Sequence, residues 1–202
     1  MATVRPSSPR GNRVTDQSSP PTEAPPAAHK RAPSLVLVNT GEGKGKSTAA
    51  FGTALRAVAR GWKVGVVQFL KSGDWKVGEE DVGRRLGIDW WALGEGFTWD
   101  SDDIDESEAV AREAWLSAKT RIVSDEYDLL ILDEVTYPIN WGWIDIDDVL
   151  SAIANRPSRL NLILTGRDAP TALIDVADTV TEMKKVKHAF DEGVMARRGI
   201  DY

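Results

Sequence analysis

The chain has 202 residues, 42% apolar and 28% charged, with a net charge of −6 and no cysteine. Without cysteine there is no disulfide framework, no thiolate metal cluster and no cysteine nucleophile. No run approaches the roughly 18 uninterrupted apolar residues of a membrane helix, and the N-terminus lacks the apolar segment of a secretory signal, so the expected address is the cytoplasm.

Seven of the ten prolines (Pro6, Pro9, Pro20, Pro21, Pro25, Pro26, Pro33) fall in the first 33 residues, together with five Lys/Arg against two Asp/Glu. That stretch lacks the apolar periodicity of a core, and its prolines oppose a long helix. Residues 1–33 are therefore expected to be a disordered, Pro-rich basic arm. A mitochondrial transit peptide is the weaker reading, because it would have to form an amphipathic helix. Residues 34–202 suit one domain. With the arm's charge removed they carry −9, a poor balance for sequence-independent nucleic-acid binding, which runs on phosphate neutralisation. Neither nucleic acid nor a membrane is an expected partner.

Strand and helix signals alternate along the domain. Ser34 to Asn39 reads as a strand that ends at a glycine cluster. Lys46 to Arg60 reads as a helix with Ala50, Phe51, Ala54, Leu55 and Val58 on one face and Gly61 as its stop. Lys63 to Phe69 is a second strand, Lys71 to Gly87 a glycine-punctuated region, and Ile88 to Ala92 a third strand. An acidic loop from Asp100 to Glu106 leads into a helix of about 18 residues ending at Ser124, with Val110, Ala114, Trp115, Ala118 and Ile122 as its apolar stripe. Tyr127 to Asp133 is a continuous apolar strand. Asp147 to Ala154 is a short helix, Leu160 to Thr165 a further strand, and Asp178 to Met183 the last. Strands that are apolar throughout and separated by helices predict an α/β fold, a mostly parallel sheet covered on both faces.

The sharpest motif is Thr40-Gly-Glu-Gly-Lys-Gly-Lys-Ser-Thr48, between the first strand and the first helix. Gly41, Gly43 and Gly45 permit unusual dihedrals and close approach, so that backbone N–H groups can converge on phosphate oxygens. The helix that follows adds its unpaired N–H groups. Lys46 would bring a point charge to the phosphates, and the Ser47 hydroxyl would ligate Mg²⁺. The match to the phosphate-loop pattern lacks its first glycine, replaced by Thr40, but the strand–turn–helix context is the one the motif requires. Its partner is Leu129-Leu-Ile-Leu-Asp133-Glu134, an apolar strand ending in acids, where either Asp133 or Glu134 can serve the metal directly or through water. A nucleoside triphosphate with Mg²⁺ follows; the reaction does not, because the fold hosts many.

Eight tryptophans are a further signal. Trp115 belongs to a core stripe. Trp99 lies in Gly94-Glu-Gly-Phe-Thr-Trp-Asp100, where Phe97 and Trp99 either cover a large planar ligand or pin a loop to the core.

The ordered motifs Thr40–Gly52, Val66–Phe69, Gly96–Trp99, Leu132–Tyr137, Thr165–Arg167, Val186–Asp191 and Arg198–Tyr202 resemble the P-loop corrinoid adenosyltransferases of bacterial vitamin B12 biosynthesis, which act on cob(I)alamin or cob(I)yrinic acid a,c-diamide. The resemblance covers essentially all of residues 34–202 and implies a P-loop NTPase-like, RecA-like domain. It implies transfer of the 5′-deoxyadenosyl group of ATP to Co(I) of a reduced corrinoid, with triphosphate released and Mg²⁺ or Mn²⁺ as cofactor. ATP would be held by Gly41, Glu42, Gly43, Lys44, Gly45, Lys46, Ser47 and Thr48, with Arg56 a weaker assignment, and would lie reversed relative to P-loop hydrolases. Phe97 and Trp99 would sit against the lower corrinoid face and exclude an axial ligand, which makes Co(II) easier to reduce. Lys46, Phe97 and Trp99 are thus the implied catalytic set. Ser47, Glu134 and, second to it, Asp133 are the implied metal set. A reductase or flavin as electron donor and a homodimer are also implied, the latter because some members cap the partner's site with an N-terminal segment, here near His29 to Ser34.

The sequence departs from the family at Ser47, where a threonine is common, and at Asp168-Ala-Pro170, where some members carry Cys and His. His188 lies in a family motif but reads as structural. An ordinary P-loop ATPase or small-molecule kinase, and a corrinoid carrier that uses ATP only as a structural or regulatory ligand, are the competing activities.

Overall fold

A computed structural model describes residues 31–70, 78–92 and 104–201. Six strands form one sheet: β1 (Val36–Thr40), β2 (Val64–Gln68), β3 (Asp89–Ala92), β4 (Leu129–Asp133), β5 (Asn161–Thr165) and β6 (Thr179–Glu182). Their spatial order is β3-β2-β4-β5-β1-β6, and each neighbouring pair runs parallel. The helices are α1 (Lys46–Val58), α2 (Gly78–Arg85), α3 (Ile104–Val123), α4 (Thr136–Asn140), α5 (Ile146–Ala154) and α6 (Thr171–Val176). The expected α/β architecture, a parallel sheet with helices, is therefore the one observed.

All five residues of β4 are buried, because successive side chains of a strand point to opposite faces and both faces are covered. Leu130 and Leu132 pack with Trp115, Ala118 and Ile122 of α3 and Val149 and Ile153 of α5. Leu129 and Ile131 pack on the other face with Ala50, Phe51 and Ala54 of α1 and with Trp90. Each such Leu or Ile contributes roughly 1.5–3 kcal/mol by leaving water. This two-sided burial fixes the register. Gln68 lies opposite Asp133, Leu132 opposite Leu164 and Asn39 opposite Thr165, so the chemically distinctive residues share the carboxyl edge of the sheet.

Three helices were not expected from the sequence. α2 falls inside the glycine-punctuated region; its one buried residue is Gly83, so it has no apolar stripe to read. It is supported instead by acids in its first turn, arginines in its last, and the i,i+4 pairs Glu80–Arg84 and Asp81–Arg85. α4 has five residues including Pro138, and α6 has six, both too short for a helical period to show. Two stripe residues also differ. Leu55 is half exposed, with Ala57 buried in α1, and Val110 is half-buried while Ala111 takes the buried position in α3.

Candidate active site

The carboxyl ends of β1, β4 and β5 converge, and most of the sequence candidates stand there. From Thr40 the backbone turns through Gly41 (φ 94°) and Gly45 (φ 116°) into α1, conformations that residues with a Cβ rarely adopt. Gly43 is needed for space, since a Cβ there would stand 2.6 Å from the Met183 carbonyl oxygen and 2.7 Å from the Lys184 carbonyl carbon. The Gly43 N–H donates to Met183 O at 2.5 Å and the Met183 N–H to Thr40 O at 2.7 Å, so the loop is seated on the residues that follow β6.

The first turn of α1 has no side-chain cap and no acidic residue. Its N–H groups are thus left for an incoming anion. α5 is the contrast: the Asp145 carboxylate accepts from the Asp147 N–H at its start. Lys46, half-buried, donates from Nζ to the carbonyls of Gly41 and Gly43, both at 2.7 Å. Burial pushes its pKa below the ordinary lysine value and the nearby Arg167 adds to this, while Glu42, Glu134 and Asp168 oppose it. A partly desolvated ammonium held by two loop carbonyls can exchange them for phosphate oxygens at little reorganisation.

Lys44 is engaged elsewhere: its Nζ pairs with Asp201 at 2.5 Å. That hydrogen bond, and a second from the Arg197 N–H, hold the Asp201 carboxyl below the usual carboxylate range. Arg167 pairs with Glu42 at 3.1 Å, both half exposed, an arrangement worth about 0–1 kcal/mol. Thr40, at the position of the missing glycine, accepts from the Ala169 N–H through Oγ1 at 3.1 Å. Its side chain ties the loop after β5 to the phosphate loop, which a glycine could not do.

The two acids that end β4 differ sharply. Asp133 is buried, with Oδ1 accepting from Thr165 Oγ1 at 2.7 Å and Oδ2 from Gln68 Nε2 at 3.0 Å. Glu134 is half-buried and left-handed, with φ 64°, a conformation that costs a residue with a Cβ about 1–2 kcal/mol. Its N–H donates to Thr165 Oγ1 at 3.0 Å. Ser47 stands half-buried in the first turn of α1 and Thr48 is exposed beside it. Among the described residues no group of three or more His, Asp or Glu is placed to hold a metal unaided. One hydroxyl and one carboxylate are the hard-oxygen set that fits Mg²⁺, an ion that keeps phosphate and water as its other ligands.

Beside Glu134, Tyr137, Trp141 and Trp143 form an aromatic ladder with ring separations of 5.8 and 4.6 Å. Burial, and then the charge of Glu134, raise the Tyr137 phenol above its ordinary pKa. Gly166 carries φ 143°, and a Cβ there would stand 1.9 Å from Thr136 Oγ1. Thr136 Oγ1 donates to Arg167 O at 2.7 Å, fixing the turn that delivers Arg167. Arg56 is exposed in the last turn of α1, ten residues and roughly 15 Å along the helix axis from Lys46, so the fold does not bring it to the loop. Phe97 and Trp99 lie outside the described residues.

Residues 32–202 match the family described as ATP:corrinoid adenosyltransferase BtuR/CobO/CobP. The chain belongs to that family. It is 44% identical over 168 residues to the corrinoid adenosyltransferase of Escherichia coli (strain K12), covering 83% of this chain and 85% of that one. It is 42% identical over 168 residues to the corrinoid adenosyltransferase CobA of Salmonella typhimurium (strain LT2), with the same coverage. The Pseudomonas aeruginosa corrinoid adenosyltransferase is 42% identical over 170 residues, 83% of each chain. Among solved structures, a DNA replication initiation factor aligns at 15% identity over 74% of this chain and 40% of that one, with a TM-score of 0.34. The Hef helicase domain of Pyrococcus furiosus aligns at 13% identity over 83% and 38%, with a TM-score of 0.41.

The adenosyltransferase is thus a transferase with ATP and a corrinoid as its substrates, serving adenosylcobalamin biosynthesis or salvage. Reading the sequence assigned no role to Gln68, Thr165, Arg167 or Asp201. Thr165 and Arg167 carried a signal, lying in a short motif at a strand end. Gln68 and Asp201 also lay in family motifs, but nothing in the sequence paired Asp201 with Lys44, 157 residues away.

Proposed function

We propose that this adenosyltransferase moves the 5′-deoxyadenosyl group of ATP onto Co(I) of a reduced corrinoid. The cobalt electron pair forms the Co–C5′ bond, the C5′–O5′ bond breaks, and triphosphate leaves with the bonding electrons. Co(I) is already a strong nucleophile, so no general base is required; the protein's work is to orient C5′ and to neutralise the leaving group. The observation that carries this reading is the uncapped, glycine-lined loop with Lys46 threaded through it, and with the charge of Glu134, just after β4, acting on Lys46.

In this reading Gly41 to Thr48 bind the triphosphate, and Lys46 supplies the charge nearest the breaking bond. Lys44 can join only after leaving Asp201. Ser47 and Glu134 hold Mg²⁺ or Mn²⁺, which supplies charge to the triphosphate. Asp133 supports from behind, because both its oxygens are already used as acceptors. Phe97 and Trp99 are proposed against the lower corrinoid face, where they exclude an axial ligand. A reductase or flavin delivers the electron, the enzyme works as a cytoplasmic homodimer, and residues 1–33 form an arm outside the catalytic domain.

The deciding experiment is anaerobic incubation with ATP, Mg²⁺ and a chemically reduced corrinoid. A light-sensitive Co–C bond with triphosphate in equal amount is the expected outcome. ADP or free phosphate without the Co–C bond would indicate an ATPase instead. Phe97→Ala and Trp99→Ala are expected to slow the reaction from Co(II) more than that from supplied Co(I); equal losses would give these residues a positioning role.

A further inference from the structure

Behind the two acids of β4 runs a chain of buried hydrogen bonds whose directions are all determined. The Trp90 indole N–H, which can only donate, gives its proton to Gln68 Oε1 at 2.8 Å. This turns the amide of Gln68 so that Nε2 faces Asp133 Oδ2 at 3.0 Å. Thr165 gives its single hydroxyl proton to Asp133 Oδ1 at 2.7 Å. With that proton spent, only the oxygen lone pairs of Thr165 remain, and one accepts the Glu134 N–H at 3.0 Å. Asp133 thus accepts at both oxygens. Gln68, Asp133 and Thr165 are each 1% exposed or less, so water does not compete for these bonds.

The chain ends on the backbone of the residue that most needs holding. Glu134 is left-handed at φ 64°, a state that persists in a residue with a Cβ only when its surroundings enforce it. The left-handed turn sets the direction in which the Glu134 carboxylate leaves β4. We infer that Thr165, oriented by Asp133 and Gln68, is a positioning residue that locks Glu134 in its left-handed turn and so sets the carboxylate for the divalent cation. The inference rests on the proposed reading of Glu134 as a metal-side carboxylate. It also explains why β4 ends in two acids: one orients the anchor, the other meets the ion. Partners that orient a ligand are worth on the order of 10–100-fold in metal affinity.

The test is Mn²⁺ binding to the full chain with ATP and no corrinoid, followed by the electron-spin signal of free Mn²⁺. Thr165→Val, which keeps the shape and removes the hydroxyl, is expected to weaken Mn²⁺ binding about 10-fold. Thr165→Ser, which keeps the hydroxyl, is expected to restore it. In a Glu134→Ala background, Thr165→Val should add no further loss. Undiminished binding in Thr165→Val, or an equal loss in the Glu134→Ala background, overturns the positioning role while leaving Glu134 as ligand. Undiminished binding in Glu134→Ala overturns the ligand reading itself. Thr165→Ala, smaller than the residue it replaces, is the companion variant should valine prevent folding.

Discussion

The two ends of the sheet use the same residue types to opposite effect. At the amino ends of the strands, charges close on one another. Asp89 accepts from Tyr127 and pairs with Lys63, and Asp125 and Asp128 pair with Arg159. The Asp128 carboxylate also accepts the Lys63 backbone N–H, capping the start of β2. At the carboxyl ends, by contrast, Lys46 sits among carbonyls, the first turn of α1 lacks a cap, and a glutamate is held in a left-handed turn. The amino end neutralises itself and stabilises the fold; the carboxyl end leaves the Lys46 ammonium on loop carbonyls and the first turn of α1 without a side-chain cap. Local geometry therefore separates structural from functional charge where residue type cannot.

The largest effect is expected at Lys46. Lys46→Ala is expected to lower turnover at saturating ATP by about 10³-fold, at the upper end of what one lost charge-stabilising donor costs, with little change in melting temperature. Turnover near the wild-type rate would remove Lys46 from the reaction. Next comes Gly166→Ala, where the added Cβ meets Thr136 Oγ1. Overpacking there should cost about 3 kcal/mol in urea unfolding, whereas Gly61→Ala, in open space, should cost only the left-handed penalty of about 1 kcal/mol.

At the amino end, Tyr127→Phe should cost about 1 kcal/mol, the scale of one hydrogen bond, and leave turnover untouched. Burial first, and then Asp89, push the Tyr127 phenol up from 10.0 to about 12. A raised folded-state pKa means stability that is present below pH 10 and lost as pH rises through 12. Urea unfolding across that window should show the loss in wild type and not in Tyr127→Phe. The smallest effect is expected of Asp201→Asn. Its carboxyl is depressed by Lys44 and by the Arg197 N–H, so the contact is complete above the ordinary carboxylate range and loosens as pH falls through the lowered pKa. Amide exchange of residues 197–201 should rise in Asp201→Asn at neutral pH; unchanged protection would leave the tail held by other contacts.

Much of the site was legible because it is local. The phosphate loop is one continuous stretch whose glycines and lysines stand beside one another in the chain, and the acids of β4 end an apolar run. Missing from the sequence were the features that join distant segments. Thr40 stands where the general phosphate-loop pattern has its first glycine, and its contact with the Ala169 N–H is not visible in the sequence. Gly43 reads as allowing close approach to phosphate, and the structure adds a second close approach, to Met183 and Lys184, which leaves no room for a side chain. Asp133 and Glu134 were candidates for one role, ranked only by the family resemblance; the structure buries Asp133 between Gln68 and Thr165 and leaves Glu134 half-buried.

By itself the sequence determined the α/β class, the covered parallel sheet and the phosphate loop, because hydrophobic periodicity and turn chemistry act over a few residues. Tertiary structure alone decided the strand order, the latch between Lys44 and Asp201, and the different hydrogen bonding of Asp133 and Glu134. These depend on which strand ends lie side by side, and adjacency across a sheet is set by burial on both faces rather than by neighbours in the chain.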